Sequence, residues 1–364
     1  MTYNAITKGD LERIHNAVAN RQGWEDAILV MTGCAGFLGY YLMLYLTYHA
    51  AELGIRKIIG LDSFLLGKPL WLSQLAEAFP DLFCPRVFDI SRDRLEDVEG
   101  AREARYVIHG AGIASPMFYR QYPVETIDAN VWGLRRLLDF YHDADGLEGL
   151  LFFSSSEIYG DPDPRFIPTN EEYRGNVACF GPRACYDESK RFGETLCHVF
   201  AETYQMPIVI ARSFNNYGPG MRLGDKRLPA DLAKSIVEGR DLTVFSDGSP
   251  TRTFCYASDA VIGYLLCLLH GEYDYFNIGI DGAEITVSEL AEIYRAAGAE
   301  IFGYRGQIKY EKSADPKYLT DNPNRRCPDI TKARTKLGYN PSIGVEEGVR
   351  RYLQFLSYEE TRET

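Results

Sequence analysis

The first half of the chain alternates short apolar runs with segments of helical period or polar loops. Six runs have the length and composition of buried strands: AILVMTG, KIIGLD, RVFDI, YVIHGAG, GLLFFSSS and PIVIAR. Strands that alternate with helices indicate a parallel sheet whose strands are joined by right-handed helical crossovers. The pattern therefore predicts an α/β fold built on a doubly wound parallel sheet.

The second half of the chain is less regular. The segments LPADLAKSIVEGR, LTVFSDGS and TVSELAEIYRAAG are separated by loops rich in Gly, Pro and Asp. We therefore expect a main domain over residues 27–213 and a smaller C-terminal α/β lobe over 214–364, interleaved with the last strands of the main domain. Residues 1–26 are a polar extension whose pattern predicts a short helix. Whether this extension caps the fold, joins a subunit contact or is disordered stays open at this point.

The stretch from Ala27 to Ala51 contains no Asp, Glu, Lys or Arg and is long enough for a membrane span. Its internal order is a strand-like run, three spaced glycines and an aromatic-rich helical pattern, which favours a strand, a turn and a buried helix. The preceding residues lack the pattern of a signal peptide. We expect no membrane association.

The net charge and the cysteine pattern limit the classes of function that the chain can have. The 364 residues carry 39 basic and 51 acidic side chains, and the resulting net charge of -12 disfavours nucleic-acid binding. The eight cysteines are scattered, with no C-x-x-C pair and no His/Cys cluster at metal-ligand spacing. This usage predicts reduced thiols, a cytoplasmic protein and no metal site.

The motif TGCAGFLG follows the first predicted strand and opens a helix. Glycines at this spacing allow a tight turn and a close backbone approach to a pyrophosphate at the helix N-terminus, although alone they can simply pack a helix against a sheet. An acidic residue at the end of the second strand can hydrogen-bond a ribose 2′-hydroxyl and would repel a 2′-phosphate, so NAD is predicted over NADP. The expected cofactor-binding residues here are Gly33, Gly36, Phe37, Leu38, Gly39 and Asp62.

A second motif, CYDESKRFGE, places Tyr186 and Lys190 four residues apart on one face of a helix. A free tyrosine has a pKa of about 10 and is a poor base near neutrality, but a neighbouring ammonium and a nicotinamide cation both favour its phenolate. The pair follows a dinucleotide-type turn and a Ser-rich strand end. This context favours an acid/base pair at the cofactor over a solvated helical face.

Further motifs support a family resemblance: HGAGIASPMFYRQYP, SSSEIYGDP, GPRACYDESKR, ARSFNNYGPGMR, GSPTRTFCYASDAV and NPNRRCPDI. Together they resemble the extended short-chain dehydrogenases/reductases that modify nucleotide sugars, and among these the UDP-glucuronate decarboxylase (UDP-xylose synthase) group. The resemblance covers nearly the whole chain after Ala27. It implies a Rossmann-type NAD-binding domain, a nucleotide-sugar-binding lobe and a UDP-sugar substrate, with another pyrimidine nucleotide still open.

The resemblance implies that Ser155 completes a Ser-Tyr-Lys triad with Tyr186 and Lys190. The next two residues are Ser156 and Glu157, where related 4,6-dehydratases carry an Asp-Glu pair and simple 4-epimerases usually carry small apolar residues. The Ser-Glu pair resembles the decarboxylases. It implies that Glu157 positions a water or acts as an acid/base near C5 of the sugar, with a helix cap or a loop ion pair as the structural alternative.

Other residues are assigned by the same resemblance. Arg252 is expected near the diphosphate and the sugar acid, as part of the catalytic set; Arg326 and Asn215 are expected at the diphosphate, and Ser115 and Tyr119 near the hexose. Surface ion pairs are the alternative for both arginines.

Two further assignments concern strand ends. Asp89 and Ile90 resemble an adenine-contacting pair, with an ordinary strand-end aspartate as the alternative of equal weight. His109 is expected to be a packed strand-end histidine.

The implied activity begins when Tyr186 takes the proton of the sugar 4-hydroxyl while the C4 hydride passes to NAD. The resulting β-keto acid loses carbon dioxide, and return of the hydride gives UDP-xylose; a variant that stops early releases the 4-keto pentose. The alternatives are a 4-epimerase or 4,6-dehydratase, or a catalytically silent NAD-binding regulator. We also expect a homodimer, because the helix of Tyr186 continues as FGETLCHVFAETY, which is apolar on more than one face.

Overall fold

The computed structural model describes residues 4–282, 284–313 and 320–358. Its strands are β1 (Ile28–Thr32), β2 (Lys57–Asp62), β3 (Phe83–Val87), β4 (Tyr106–His109), β5 (Gly149–Ser155), β6 (Ile208–Ser213), β7 (Asn216–Tyr217), β8 (Leu242–Val244), β9 (Thr251–Arg252), β10 (Cys255–Tyr256), β11 (Asp274–Ile278), β12 (Ile285–Thr286), β13 (Ile308–Tyr310) and β14 (Arg325–Arg326). Its α-helices are α1 (Ala5–Val18), α2 (Phe37–Tyr48), α3 (Ala50–Leu53), α4 (Leu70–Ala78), α5 (Pro116–Gln121), α6 (Pro123–Ile127), α7 (Leu134–Tyr141), α8 (Ala184–Tyr204), α9 (Leu228–Val237), α10 (Ala257–Leu268), α11 (Val287–Phe302), α12 (Thr331–Leu337) and α13 (Val345–Ser357).

Seven strands form one parallel sheet in the order β3-β2-β1-β4-β5-β6-β11. Successive side chains of a strand point to opposite faces, and both faces of this sheet are covered. In β1, for example, Leu29 and Met31 join one hydrophobic core, whereas Ile28 and Val30 join another. The predicted doubly wound α/β fold is confirmed.

Five of the six predicted strands lie where the apolar runs place them, and the third begins earlier. The run RVFDI was expected to be extended, but β3 ends at Val87, which is 77% exposed at the sheet edge. Asp89 lies beyond it in a turn, where its carboxylate accepts hydrogen bonds from the amide (2.9 Å) and hydroxyl (2.6 Å) of Ser91. This local capping by an aspartate ends the strand.

The second half of the chain is divided between the large sheet and a smaller group of elements. Strand β11 pairs in parallel with β6, and α10 packs against the sheet. The remaining strands form small sheets, of which β12-β9-β14 brings Arg252 and Arg326 side by side in register. The carboxyl end of the large sheet and this small sheet together frame the site described below.

The uncharged stretch from Ala27 to Ala51 forms β1, a turn, α2 and the start of α3. Nearly every residue of α2 from Gly39 to Thr47 is buried, because α1 and α10 pack against it. In the parts of the chain that the structure describes, no helix combines the length and apolarity that crossing a membrane requires.

Helix α1 is a packed element of the fold. Asn4 caps it by accepting a hydrogen bond from the Thr7 amide at 2.9 Å. The carboxylate of Asp10 is buried and accepts hydrogen bonds from the hydroxyls of Tyr41 (2.5 Å) and Tyr256 (2.7 Å) and from the guanidinium of Arg351 (3.0 Å). These partners lie in or beside α2, α10 and α13, so one carboxylate joins the N-terminal helix to three distant segments.

Replacing Asp10 should therefore destabilise the protein. Asp10→Ala leaves three buried or half-buried donors without their acceptor, and we expect it to cost roughly 2–3 kcal/mol of folding free energy and to lower the melting temperature. Thermal and urea unfolding followed by circular dichroism measures this. Glu12→Ala, at an exposed position of the same helix, is the control and should change stability by less than about 0.5 kcal/mol. Equal effects of both substitutions would contradict the assigned role of Asp10.

Candidate active site

The glycine turn between β1 and α2 meets the steric demands of a dinucleotide site. Gly33 has φ +72°, and a Cβ there would lie 2.6 Å from the backbone of Gly110 and Ala111. A Cβ on Gly39 would lie 2.2 Å from the carbonyl oxygen of Cys34. A Cβ on Gly36 would meet only a carbonyl at 3.2 Å, so the absence of a side chain there leaves the N-terminus of α2 open to an anion. The turn thus fits the pyrophosphate of NAD.

Asp62 and Cys34 are held in fixed positions beside this turn. Asp62 ends β2 and accepts hydrogen bonds from the amides of Ala35 (2.9 Å) and Phe64 (2.8 Å), which brings its carboxylate to the turn. Burial raises its pKa, while those two amides act to lower it. Cys34 is fully buried toward Gly60 of β2, and burial raises the pKa of its thiol well above the usual value. The thiol is therefore an inert packing group.

Ser155, Tyr186 and Lys190 come together at the carboxyl end of the sheet. Ser155 ends β5, and its hydroxyl accepts a hydrogen bond from the amide of Glu157 at 3.2 Å and lies close enough to Tyr186 of α8 to lower the pKa of that phenol. Lys190, one turn along α8, donates to the carbonyl oxygen of Phe153 at 2.7 Å, and its ammonium lies 5.9 Å from the centroid of the Tyr186 ring. The three predicted triad residues share one buried cluster.

Burial decides the protonation of this cluster. It raises the pKa of Tyr186 to about 12, although the hydrogen bond with Ser155 acts in the opposite direction. It also lowers the pKa of Lys190 to about 7. Because both charged forms are disfavoured, the phenolate requires a further positive charge beside it, as a nicotinamide ring would supply.

Glu157 lies at the centre of a buried ion cluster. Arg326 donates to both of its carboxylate oxygens at 2.6 Å, and Arg183 donates to one of them. Although burial acts to raise it, these two guanidinium groups lower the pKa of Glu157 to about 2. The carboxylate is therefore ionised at neutral pH and fixed between α8 and β14. The ion pair named as its structural alternative is present, and it is buried beside Tyr186 rather than on a loop surface.

Asp187 extends this cluster. Its Oδ2 lies 3.5 Å from Nε of Arg183, while its buried Oδ1 has no hydrogen-bond partner among the described residues. Burial and the charge of Glu157 raise the pKa of Asp187 to about 7, against the lowering effect of Arg183. A carboxyl group next to Tyr186 in the chain therefore changes charge near neutrality.

Arg252 supplies a cation that is held by backbone carbonyl groups. Its guanidinium donates to the carbonyl oxygens of Thr251 (2.7 Å), Pro323 (2.5 Å) and Asn324 (3.1 Å), and within the described ranges it forms no ion pair. Burial and the charge of Arg326 lower its pKa to about 9, so it stays protonated at neutral pH. A buried guanidinium held only by carbonyls is suited to an anionic ligand.

The predicted sugar-site residues occupy different surroundings. The Tyr119 ring stacks on Tyr186 with centroids 5.1 Å apart, and its buried hydroxyl has no hydrogen-bond partner in the described chain. Ser115 donates to the carbonyl of Asp225 at 2.5 Å, which ties its loop to residues 218–227. Asn215 has φ +39° and donates to the carbonyl of Thr253 at 2.9 Å. Tyr119 is thus beside the triad, while Ser115 and Asn215 link loops around it.

The three strand-end residues Asp89, Ile90 and His109 also lie in different surroundings. Ile90 is 4% exposed and packs in a hydrophobic core, whereas Asp89 caps its own turn. His109 is fully buried and accepts or donates one hydrogen bond with Thr32 at 2.8 Å; burial and Lys190 lower its pKa to about 3. His109 is the packed, uncharged histidine that the sequence led us to expect.

Sequence reasoning missed three polar residues of this region. Arg183 and Asp187 lie in the quoted motif GPRACYDESKR, and their spacing of four on α8 was a signal that both face the side of Tyr186. Asn130 lies in a π-helical segment over residues 128–133, which gave no sequence signal. A Cβ on Gly112 would lie 2.7 Å from Oδ1 of Asn130 and 3.5 Å from Nζ of Lys190, so both atoms border one space.

Comparison with known proteins shows the family to which the chain belongs. The profile of the NAD dependent epimerase/dehydratase family matches residues 29–279. The chain belongs to this family. UDP-glucuronic acid decarboxylase 1 of Arabidopsis thaliana is 34% identical over 323 residues, which are 89% of this chain and 68% of the relative. UDP-glucuronic acid decarboxylase 1 of Danio rerio is 32% identical over 335 residues, covering 91% and 73%.

Solved structures of the family share the fold. A UDP-glucose 4-epimerase from Thermotoga maritima with UDP-glucose has a TM-score of 0.72 and 25% identity, covering 90% of this chain and 98% of that one. A UDP-glucuronic acid 4-epimerase from Bacillus cereus in complex with UDP-glucuronic acid and NAD has a TM-score of 0.73 and 24% identity over the same shares.

The pKa of Asp187 leads to a prediction for stability. Its pKa is raised from the unfolded value of about 3.9 to about 7, so ionising it in the folded state costs stability progressively across that range. Asp187→Asn keeps the shape and removes this cost. We expect the melting temperature of the variant, relative to the unmodified protein, to rise between about pH 4 and about pH 7 and to level off above. A pH-independent difference would contradict the assigned titration.

Proposed function

We propose that this protein is an NAD-dependent enzyme that decarboxylates UDP-linked glucuronate after oxidation at C4. One observation carries the proposal: the unneutralised guanidinium of Arg252 and the fixed carboxylate of Glu157 lie in one buried cluster with the Ser155-Tyr186-Lys190 triad. A neutral hexose has no anion for Arg252 on the sugar side, whereas glucuronate has its carboxylate. The decarboxylase names of the relatives support the same reading.

NAD would be held by the glycine turn and Asp62, and when bound it takes up the hydride of C4 and returns it at the end of the cycle. Tyr186 takes the proton of the 4-hydroxyl, aided by the hydrogen bond with Ser155 and by the charge of Lys190. The sugar is then a β-keto acid. Cleavage of the bond between C5 and the carboxyl carbon releases carbon dioxide and leaves its electron pair in an enolate, whose oxygen the Tyr186 and Ser155 hydroxyls stabilise.

The ion cluster would orient the acid and protect the enolate. Arg252 binds the carboxylate before cleavage, and Glu157, locked by Arg183 and Arg326, lies beside Tyr186 as an ionised group. Because its pKa is about 2, Glu157 in this arrangement positions a water or a sugar hydroxyl rather than carrying a proton itself. Protonation at C5 then comes from the group or water that Glu157 orients.

The direct test is to incubate the full chain with UDP-glucuronate and NAD and to follow carbon dioxide and the sugar by NMR. Carbon dioxide with UDP-xylose is the expected result; carbon dioxide with a 4-keto pentose and NADH would establish decarboxylation without return of the hydride. Epimerised glucuronate without carbon dioxide would overturn the proposal in favour of a 4-epimerase. No turnover with any UDP-hexose would favour a silent NAD-binding protein.

A variant of Arg252 tests which anion it binds. If its partner is the sugar carboxylate, Arg252→Gln should weaken the binding of UDP-glucuronate by about tenfold to a hundredfold and leave the affinity for UDP nearly unchanged. The reason is that a hydrogen bond to a charged group contributes about 1.5–3 kcal/mol to the binding free energy. Calorimetric titration with both ligands measures this. Equal weakening of both ligands would assign Arg252 to the diphosphate. Arg174→Gln, outside the cluster, is the control.

Tyr186→Phe tests the proposed base. Removing the hydroxyl should lower kcat by about a hundredfold to ten-thousandfold without a comparable rise in KM, because the proton transfer and not the binding is lost. Tyr204→Phe, at the end of the same helix and 47% exposed, should leave both constants unchanged. A Tyr186→Phe enzyme with ordinary kcat would remove Tyr186 from the reaction.

We also propose that the protein is a homodimer. Helix α8 and the segment of α6 with its π-helical continuation pack against each other and expose large apolar side chains: Val124, Ile127, Trp132, Phe192 and Val199, which are 63%, 39%, 59%, 50% and 49% exposed. A patch of this kind on two adjacent helices is suited to pairing with its own copy across a two-fold axis.

A pair of valines tests the dimer. Val199→Glu puts a charge into the proposed contact and should convert the dimer to a monomer in sedimentation equilibrium, whereas Val87→Glu, at a 77% exposed edge position, should not. An unmodified chain that sediments as a monomer at micromolar concentration would contradict the proposal.

A further inference from the structure

A cluster of metal-ligating side chains lies away from the active site, where α1 packs on the end of α2. His15 comes from α1, His49 from the junction of α2 and α3, and Glu52 from α3. Nε2 of His15 lies 3.0 Å from Oε1 of Glu52, and Nδ1 of His49 lies 3.5 Å from Oε2. One ligand atom from each of the three lies within 4.8 Å of the others.

We propose that His15, His49 and Glu52 form a binding site for a first-row transition-metal dication of the zinc type. In a tetrahedral zinc site with bonds of about 2.0–2.1 Å, ligand atoms are about 3.3 Å apart, and the two nitrogen-oxygen distances here lie on either side of that value. Two imidazoles with one carboxylate favour zinc, nickel or copper over magnesium or calcium, which prefer oxygen ligands alone.

The positions of the three residues on their helices allow their side chains to converge on one ion. His49 and Glu52 are three residues apart, a spacing that puts two ligands on one side of a helical turn. His15 approaches from another helix, so the ion would bridge two segments. The side chains of His15 and His49 are 17% and 20% exposed and that of Glu52 is 65% exposed, so an ion and its waters can enter from solvent.

The stacking of the His15 and His49 rings determines which side chain must move when an ion binds. The two imidazole rings stack with centroids 4.1 Å apart and planes at 14°, so their in-plane lone pairs run side by side. Binding therefore requires one ring to turn away from the stack. Nδ1 of His15 is buried and has no hydrogen-bond partner in the described ranges, so the orienting outer contact typical of tight metal sites is missing there. Both features point to reversible, moderate affinity.

The test is calorimetric titration of the EDTA-treated full chain with Zn²⁺, followed by thermal unfolding with and without the ion. We expect one equivalent to bind and the melting temperature to rise, because the ion links α1 to α3 only in the folded state. Co²⁺ as a spectroscopic probe should give the visible absorption bands of a site with imidazole ligands.

Substitutions distinguish metal binding at this site from metal binding elsewhere on the protein. Glu52→Gln keeps the size of an exposed side chain and removes the anionic ligand, and His15→Ala with His49→Ala removes both imidazoles; each should abolish the stoichiometric binding and the rise in melting temperature. His142→Ala, at a partly exposed histidine elsewhere, is the control and should retain both. Glu52→Gln carries the test if the double variant folds poorly. Equal binding by the unmodified chain and Glu52→Gln, for instance at the exposed thiol of Cys179, would overturn the proposal, as would no binding at all.

Discussion

The ion pairs of Glu157 with Arg183 and Arg326 are the contacts on which the site depends. They join the end of β5, the start of α8 and the strand β14, three segments that belong to different parts of the chain. A buried carboxylate cannot stay ionised without such partners, and a buried guanidinium cannot stay unpaired without cost. Each segment therefore fixes the others, and Tyr186 is positioned because the helix that carries it begins directly after Arg183.

Positive side chains outnumber negative ones in this cluster. Arg183, Arg252 and Arg326 face Glu157 and Asp187, and Arg252 has only carbonyl partners in the described chain. Because the cluster is buried, an excess of positive charge is costly until an anion enters. Lys190 and Tyr186 are subject to the same desolvation, which shifts the pKa of each toward its neutral form. The site is thus electrostatically prepared for an acidic ligand and for a cationic ring.

The sequence predicted the parts of this structure that depend on local pattern. The apolar runs and the spacing of Gly33, Gly36 and Gly39 were sufficient for six of the seven strands, apart from the bounds of β3, and for the first turn, because periodicity and steric demand act over a few residues. The pair Tyr186 and Lys190 was accessible for the same reason, since both lie on one helix, whereas Ser155 was assigned by the family resemblance of its motif. The partners of Glu157 were less accessible. Arg326 is 169 residues away, and only the pairing of β9 with β14 brings it there. The places of Asn130 and His15 likewise follow from packing, which no short motif encodes.

Helix α1 has a consequence for how the chain acquires its structure during synthesis. Asp10 leaves the ribosome well before its partner Arg351, which lies 341 residues later in the chain. Until α13 has been made, the carboxylate of Asp10 lacks its counter-ion, and burying it against Tyr41 and Tyr256 leaves a charge uncompensated. The sheet can assemble earlier, because its strands pair largely with near neighbours in the chain. Helix α1 is thus translated long before it can dock with all of its partners, and α1 and α13 complete this part of the fold together.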